Sequence, residues 1–315
     1  MKPSGIGGQA VLEGIMMKNK DKYAVAVRKP NQEIEVCVKE YKGITKGNKI
    51  LNLPFIRGVF NFIDSLIIGM STLMFSAEFY EEEETEEVKK GDKVADSLFK
   101  EKAESAIMTI TVIVAALIAI GLFVVLPSIA SDLIKKYFHI ISYTIISLIE
   151  GLIRITLFLI YIFLISRMKD IQRTFMYHGA EHKCINCIEH GMELNVDNVL
   201  KSSRLHKRCG TSFLFLVMAI SIIFFILIPV QQPVMKIVVR ILMIPVIAGV
   251  SYEVLRFAGQ HEGKLVDIVS APGMALQKLT TKEPDEKMAE VAIKAVEAVF
   301  DWRTFLAENS EETNQ

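Results

Sequence analysis

Apolar residues fall in blocks along this chain, and the blocks predict its elements. Residues 106–126, 140–166, 211–229 and 234–257 are each near the roughly 20 apolar residues that a helix needs to cross a bilayer. The first carries no charge. The second holds Glu150 and Arg154 at i and i+4, a spacing that lets the two neutralise each other inside a bundle. The fourth has Arg240 near one end and Glu253 and Arg256 near the other. Residues 55–79 are apolar but interrupted by Arg57, Asn61, Asp64, Ser65, Thr72 and Ser76 at near-helical spacing. That stripe predicts a helix lying in the interface or packed on the membrane domain, with a full crossing as the alternative.

The flanks read differently. Residues 23–29 and 33–39 are β-prone runs around Pro30-Asn31-Gln32, and Ile34, Val36 and Val38 alternate with polar neighbours. A hairpin with a half-buried second strand is expected. Residues 1–22, rich in glycine, lack the spacing of a P-loop or a dinucleotide fingerprint and read as a tight, packed loop. The acidic run 81–87 reads as a solvated linker. Ala271-Pro272-Gly273 is a turn signal. Thr280 to Pro284 looks like a helix entry, and over 285–306 Met288, Val291, Ala292, Ala295, Val296, Val299 and Phe300 share one face of an amphipathic helix.

The fold class is therefore mainly α: a polytopic α-helical membrane protein of about four spans plus an amphipathic helix, with a small N-terminal β-hairpin element. Its divisions are a Gly-rich loop and hairpin over 1–54 and the amphipathic or membrane-associated helix over 55–79. An acidic linker over 80–104 follows. Transmembrane hairpins over 105–166 and 211–257 flank a polar loop over 167–210, and a helical region over 258–315 closes the chain.

Composition agrees. The chain is 51% hydrophobic with 23% charged residues, figures compatible only if the apolar residues are concentrated. Lys plus Arg equals Asp plus Glu at 36 each, so charge points to no nucleic-acid partner. No secretory signal is visible at the start, so the first span should act as an uncleaved internal anchor. The 167–210 loop carries eight of the Lys and Arg residues near the spans, whereas the links at 127–139 and 230–236 hold only Lys135, Lys136 and Lys236. The positive-inside rule then places that loop and both termini in the cytoplasm, in a cell membrane.

The loop also holds the chemistry. His178-Gly179-Ala180-Glu181-His182 has the H-x-x-E-H form. On a helix, His178 and His182 face one side and Glu181 projects beside them. Two imidazoles suit a divalent metal, and the carboxylate is close enough to take a proton from an attacking water. His206 and Cys209 add further donors, and imidazole with thiolate favours zinc. The third ligand is open: Glu253, at the same end of the fourth span, is the first choice, with His206 and Cys209 competing. Cys184 and Cys187 have C-x-x-C spacing: with His206 and Cys209 they could build a closed structural zinc site, but they read more simply as two small half-buried residues of the motif helix, and no thioredoxin-like pattern makes them a redox pair.

Four blocks resemble the YqhQ-like family of bacterial membrane proteins: residues 7–17 (GGQAVLEGIMM), Tyr177 to Lys183 (YHGAEHK), His206-x-x-Cys209-Gly210-Thr211, and Thr280-Thr281-x-Glu283-Pro284. The resemblance covers nearly the whole chain. It implies a multi-pass membrane protein described as a predicted metal-dependent enzyme, with His178, Glu181, His182, His206 and Cys209 at the site; Cys184 and Cys187 lie outside its pattern. The expected function is a metal-dependent hydrolase at the cytoplasmic membrane face. Glu181 is its base, and a peptide or lipid-linked group is its substrate. The alternative is a non-enzymatic scaffold or transporter in which the polar cluster is structural.

Overall fold

The computed structural model describes residues 3–85, 95–261 and 263–313. It is mainly helical with one small sheet, as the hydropathy pattern predicts. The chain divides into two compact units. The first comprises Met1–Glu81, Ile162–Val217 and Ala248–Gln315; the second comprises Glu82–Tyr161 and Met218–Ile247.

In the first unit, strands β1 (Gly7–Val11), β2 (Gly14–Asn19), β3 (Lys22–Arg28) and β4 (Ile34–Glu40) form an antiparallel meander in chain order. The expected hairpin is β3–β4, but the expected glycine-rich loop is instead β1–β2. Glycine weakens the alternation that marks a strand, yet it is required here: a Cβ at Gly14 would lie 2.4 Å from the carbonyl oxygen of Ala26 on β3. Val38, expected to face inward, is half exposed because β4 is the edge strand.

The sheet is covered on both faces. Helix α1 (Ile56–Thr85) lays Ile68, Phe75, Phe79 and Tyr80 on Val11, Met16, Tyr23, Val25 and Val27. The buried Asp64 of α1 accepts bonds from Tyr41 Oη at 2.6 Å and from the Ile44 N–H at 3.0 Å. Of the polar stripe foreseen along 55–79, Asp64, Thr72 and Ser76 are buried and Ser76 Oγ accepts the Leu12 N–H between β1 and β2, whereas Arg57 and Asn61 bond to Glu253 and Tyr252. By length and apolar content Ile56–Tyr80 also qualifies as a span, one of five such helices among the described residues. Of the expected acidic linker, residues 86–94 lie outside the described residues, and α1 continues helically to Thr85.

The opposite face of the sheet packs on two later helices, α5 and α10. To reach them the chain first builds most of the second unit. This unit holds α2 (Ala95–Ile120), a π-helical turn at Gly121–Val125, α3 (Leu126–Phe138) and most of α4 (Tyr143–Ile165). Thr109–Phe138 is continuous and apolar enough to span, so the link expected over 127–139 is helix. Pro127 lies inside this helix, just after the π-helical turn, and the carbonyl of Phe123 four residues before it accepts from Arg154 Nε at 2.8 Å.

Helix α5 (Lys169–Glu189) and the short α6 (Val196–Lys201) follow. Then come α7 (Gly210–Leu227), α8 (Pro233–Gln260), α9 (Lys264–Thr280), α10 (Glu286–Val299) and α11 (Trp302–Thr313). Met288, Val291, Ala292, Ala295 and Val296 of α10 meet Tyr177, Ala180, Cys184 and Ile188 of α5 and Ile15 and Met17 of β2 in one core. The single helix expected over 285–306 breaks at Phe300, where Asp301 accepts the N–H of Thr304 and starts α11. The turn expected at Ala271 to Gly273 is absent: α9 runs through Pro272, and Gly273 fits because a Cβ there would lie 2.4 Å from Ser212 Oγ.

Inside the second unit, Glu150 is buried and accepts from Arg154 Nη2 at 3.1 Å, as its spacing predicts. It also accepts from Arg240 at 2.6 Å and Lys236 at 3.2 Å, both on α8, and Lys236 pairs with Asp132 at 2.7 Å. Arg154 donates further to the carbonyl of Phe123 in the π-helical turn and to Ser221 on α7. Five charged side chains thereby tie α3, α4 and α8 together.

Candidate metal centre

Helix α5 positions the motif. It begins after an extended Met168 and carries Asp170 in its first turn, where a carboxylate favours the helix dipole. Its apolar residues Tyr177, Ala180, Cys184 and Ile188 anchor one side in the core, which holds His178 and His182 in fixed directions on the other. The two rings lie 4.4 Å apart, centroid to centroid.

Each ring is tethered at Nδ1. His178 Nδ1 lies 2.9 Å from the carbonyl oxygen of Thr280, and His182 Nδ1 lies 2.7 Å from that of Arg204. A carbonyl only accepts, so both Nδ1 atoms carry a hydrogen, and in the neutral form of each ring Nε2 is the atom with the lone pair. Cys209 stands at the focus of those lone pairs: its Sγ is 3.2 Å from His178 Nε2, and the donor atoms of His178, His182 and Cys209 all fall within 4.8 Å of one another. Thr211 Oγ1 is 3.1 Å from the same sulfur. Burial lowers the pKa of His182, offset in part by Cys209 and the Arg204 carbonyl, and so favours the neutral imidazole that binds metal.

Glu181 is buried next to this group. Its Oε1 accepts the backbone N–H of Gly8 at 3.0 Å. Burial raises its pKa, offset in part by His178 and by the Gly8 bond. Glycine at position 8 allows the contact, since a Cβ there would lie 2.5 Å from the Met16 carbonyl oxygen and 3.1 Å from Glu181 Cδ.

The other expected ligands are elsewhere. His206 stacks obliquely 5.8 Å from His182, but its Nε2 faces Glu189 at 3.4 Å and its backbone is clamped by Gln277. Glu189 also pairs with Arg208 and accepts from Ser4. Burial pushes its carboxyl up, but these partners outweigh burial and hold it at about 2. Glu253, the first choice for third ligand, is instead held bidentately by Arg57 at 2.7 and 2.6 Å. Cys184 and Cys187 are fully buried free thiols in the core, and burial pushes Cys187 up to about 11.

Several contributors were invisible as chemistry in the sequence because they act through the backbone. Gly179 is one: a Cβ there would sit 2.0 Å from the Lys282 carbonyl oxygen, so only glycine lets the 280–284 segment close over α5. That segment is further fastened by Lys282 N–H to the Phe175 carbonyl, by Arg204 to Thr281, and by Glu283 to Lys183 and Arg204. Lys183, buried, also donates to the carbonyls of Leu200 and Ser202 at the end of α6.

Residues 53–302 match the family described as Protein of unknown function (DUF1385). A relative, Uncharacterized protein YqhQ of Bacillus subtilis (strain 168), is 33% identical over 298 residues, covering 93% of this chain and 91% of its own. The chain belongs to this family. No solved structure matches it. The DUF1385 region contains α5, the 206–209 turn and the 280–284 segment, and so the three side chains and both tethering carbonyls. The strand bearing Gly8 precedes it.

Proposed function

We propose that the chain is a metal-dependent hydrolase at a membrane face, with His178, His182 and Cys209 as ligands to a divalent metal and Glu181 as the general base. The observation that carries this reading is the pair of Nδ1 tethers, which fixes both tautomers and aims both Nε2 atoms toward one thiol. Hydrogen-bonded imidazoles of this kind are the usual outer-shell arrangement of metal sites. A thiolate with two imidazoles favours zinc, and three protein ligands leave a fourth position open. When bound, the metal supplies Lewis-acid chemistry. Glu181, oriented by Gly8 and with its pKa raised by burial, sits closer to neutrality than an exposed carboxylate, which suits a general base. Of the ligands first weighed, Cys209 takes the third position in this reading; His206 and Glu253 are committed to Glu189 and Arg57. The basic residues of the 167–210 loop support a cytoplasmic placement of the site.

Elemental analysis of the detergent-purified protein tests the metal. About one zinc per chain, lost in a His178→Ala/His182→Ala variant of equal foldedness, is the expected result. No metal after incubation with zinc would sink the reading. Glu181→Gln should keep the metal and abolish turnover. Retained turnover would remove the base assignment.

One observation favours a second reading. The three donors come from α5 and from the turn before α7, and their tethers reach the end of α9, so a metal here would also cross-link these elements. Zinc loss that unfolds the protein, with Glu181→Gln silent in every assay, would make the centre structural in a scaffold.

A further inference from the structure

A groove of about 570 Å³ runs between α1, the first turn of α7 and the last turns of α8. That volume is typical of a site for a ligand of a few hundred daltons, for which about 300–1,000 Å³ is usual. Its walls are hydrocarbon: Leu66, Met70 and Leu73 on α1, Phe213 and Leu214 on α7, and Leu255 on α8. The polar groups in it are few and mostly engaged. Asn61 donates to Tyr252 Oη at 2.8 Å, and Ser65 Oγ donates to the Asn61 carbonyl. Gln9 lies flat against Gly69, where a Cβ would come within 2.5 Å of its amide oxygen.

Two wall residues are chain neighbours of the metal centre. Gly210 follows Cys209, and Gln9 follows Gly8, whose N–H holds Glu181. Consecutive Cα atoms are about 3.8 Å apart, so the groove starts one residue from Cys209 and one residue from Gly8, the main-chain partner of Glu181. Beside it, Ile63, Ile67 and Met74 stand exposed on the same stretch of α1, and α7 and α8 are both apolar enough to span. The groove is therefore continuous with a surface suited to lipid. A peptide laid in it would bury backbone N–H and C=O groups with almost nothing to bond them, at a cost of several kcal/mol each. A hydrocarbon chain has no such groups.

We propose that this groove binds one acyl chain of a membrane lipid and presents the bond next to that chain to the His178–His182–Cys209 centre. The chemical half rests on the hydrolase reading; the binding half does not. In the reaction, water adds across the scissile bond. Its oxygen joins the electrophilic centre, and its proton passes through Glu181 to the departing oxygen or nitrogen.

The test uses the full chain in nanodiscs containing a phospholipid with a diazirine in one acyl chain, irradiated and mapped by mass spectrometry. Labelling within 61–73 and 210–214 should exceed, several-fold, that on the exposed α2 residues Ile113 and Leu117, and unlabelled phospholipid should compete it away. Leu66→Trp and Leu214→Trp, exposed positions on opposite walls, should each cut groove labelling several-fold without changing zinc content. Labelling no higher than on α2, or unchanged by both tryptophans, overturns the proposal. The two ideas separate in the wild-type protein, and the His178→Ala/His182→Ala variant should keep its groove labelling because acyl binding does not rest on the metal. Groove labelling in a wild-type protein that takes up no zinc on incubation would sink the hydrolase and keep the lipid groove. Metal and turnover with no groove labelling would do the reverse.

Discussion

The polar cluster around Glu150 and the one around His178 and His182 are both largely buried, and they differ in what their atoms are doing. In the second unit, Glu150 is surrounded by Arg154, Lys236 and Arg240, and the remaining donors reach Asp132, Ser221, Ser128 and a main-chain carbonyl. Charge is consumed by charge, and both guanidinium groups also cover the ring of Phe225. In the first unit, His178 and His182 spend one nitrogen each on a carbonyl and point the other at a thiol. The first arrangement holds helices together. The second holds lone pairs in place. Burial alone does not mark a functional cluster; what matters is whether its binding capacity is already used.

That contrast can be broken most sharply at Glu150. Glu150→Ala leaves three buried cations with only Asp132 to face them and should destabilise the protein by about 3–5 kcal/mol, the usual result of breaking a buried ion pair. Thermal melts in detergent check it; a shift no larger than that of a surface substitution would show the network to be incidental. His178→Ala should show the opposite profile, a loss of metal with a smaller change in the apo-protein melt.

Acid offers the next largest effect. The folded-state pKa of Glu189 is about 2, below its ordinary 4.5, so the unfolded chain takes up the proton first. Its contribution, on the order of 3 kcal/mol, is complete above about pH 4.5 and is lost as pH falls toward 2. A melt series over that range should fall more steeply for the wild type than for Glu189→Gln. Parallel curves would mean that the pairing with Arg208, His206 and Ser4 adds nothing.

Gly179→Ala should follow, at about 1–3 kcal/mol, because its Cβ collides with the Lys282 carbonyl and must push the 280–284 segment off α5. Since Thr280 tethers His178, metal affinity should fall along with stability, measurable by zinc titration. Stability lost at unchanged affinity would detach the tether from the site. The smallest effect is expected for Cys184→Ala: about 1 kcal/mol from lost packing, with metal content untouched. Loss of metal there would return the C-x-x-C pair to the ligand set.

Much of this was legible in the chain. Long apolar runs announce membrane helices because lipid admits little else, and the Glu150–Arg154 spacing announces a pair because i and i+4 share a helix face. The H-x-x-E-H motif was legible for the same reason of local geometry. Failures came where a residue's role depends on something distant. The glycines of 1–22 looked like a loop because their use, close approach to a neighbouring strand, appears only once β3 is beside them. Pro272 looked like a turn because nothing local shows a helix running through it. Glu253 looked like a ligand because its partner, Arg57, is 196 residues away.

The sequence by itself determined the membrane class, the helical register that pairs His178 with His182, and the family. These depend on hydropathy, on 3.6-residue periodicity and on blocks of residue identity, all written along the chain. Only the tertiary structure decided that Cys209 joins the two histidines while His206 and Glu253 turn away. It also decided that backbone carbonyls of Arg204 and Thr280 set both tautomers, and that an apolar groove begins one residue from the thiol. The reason is physical: a ligand set is a matter of distances of a few ångströms between segments far apart in sequence, and main-chain groups, identical at every residue, acquire a role only from where the fold places them.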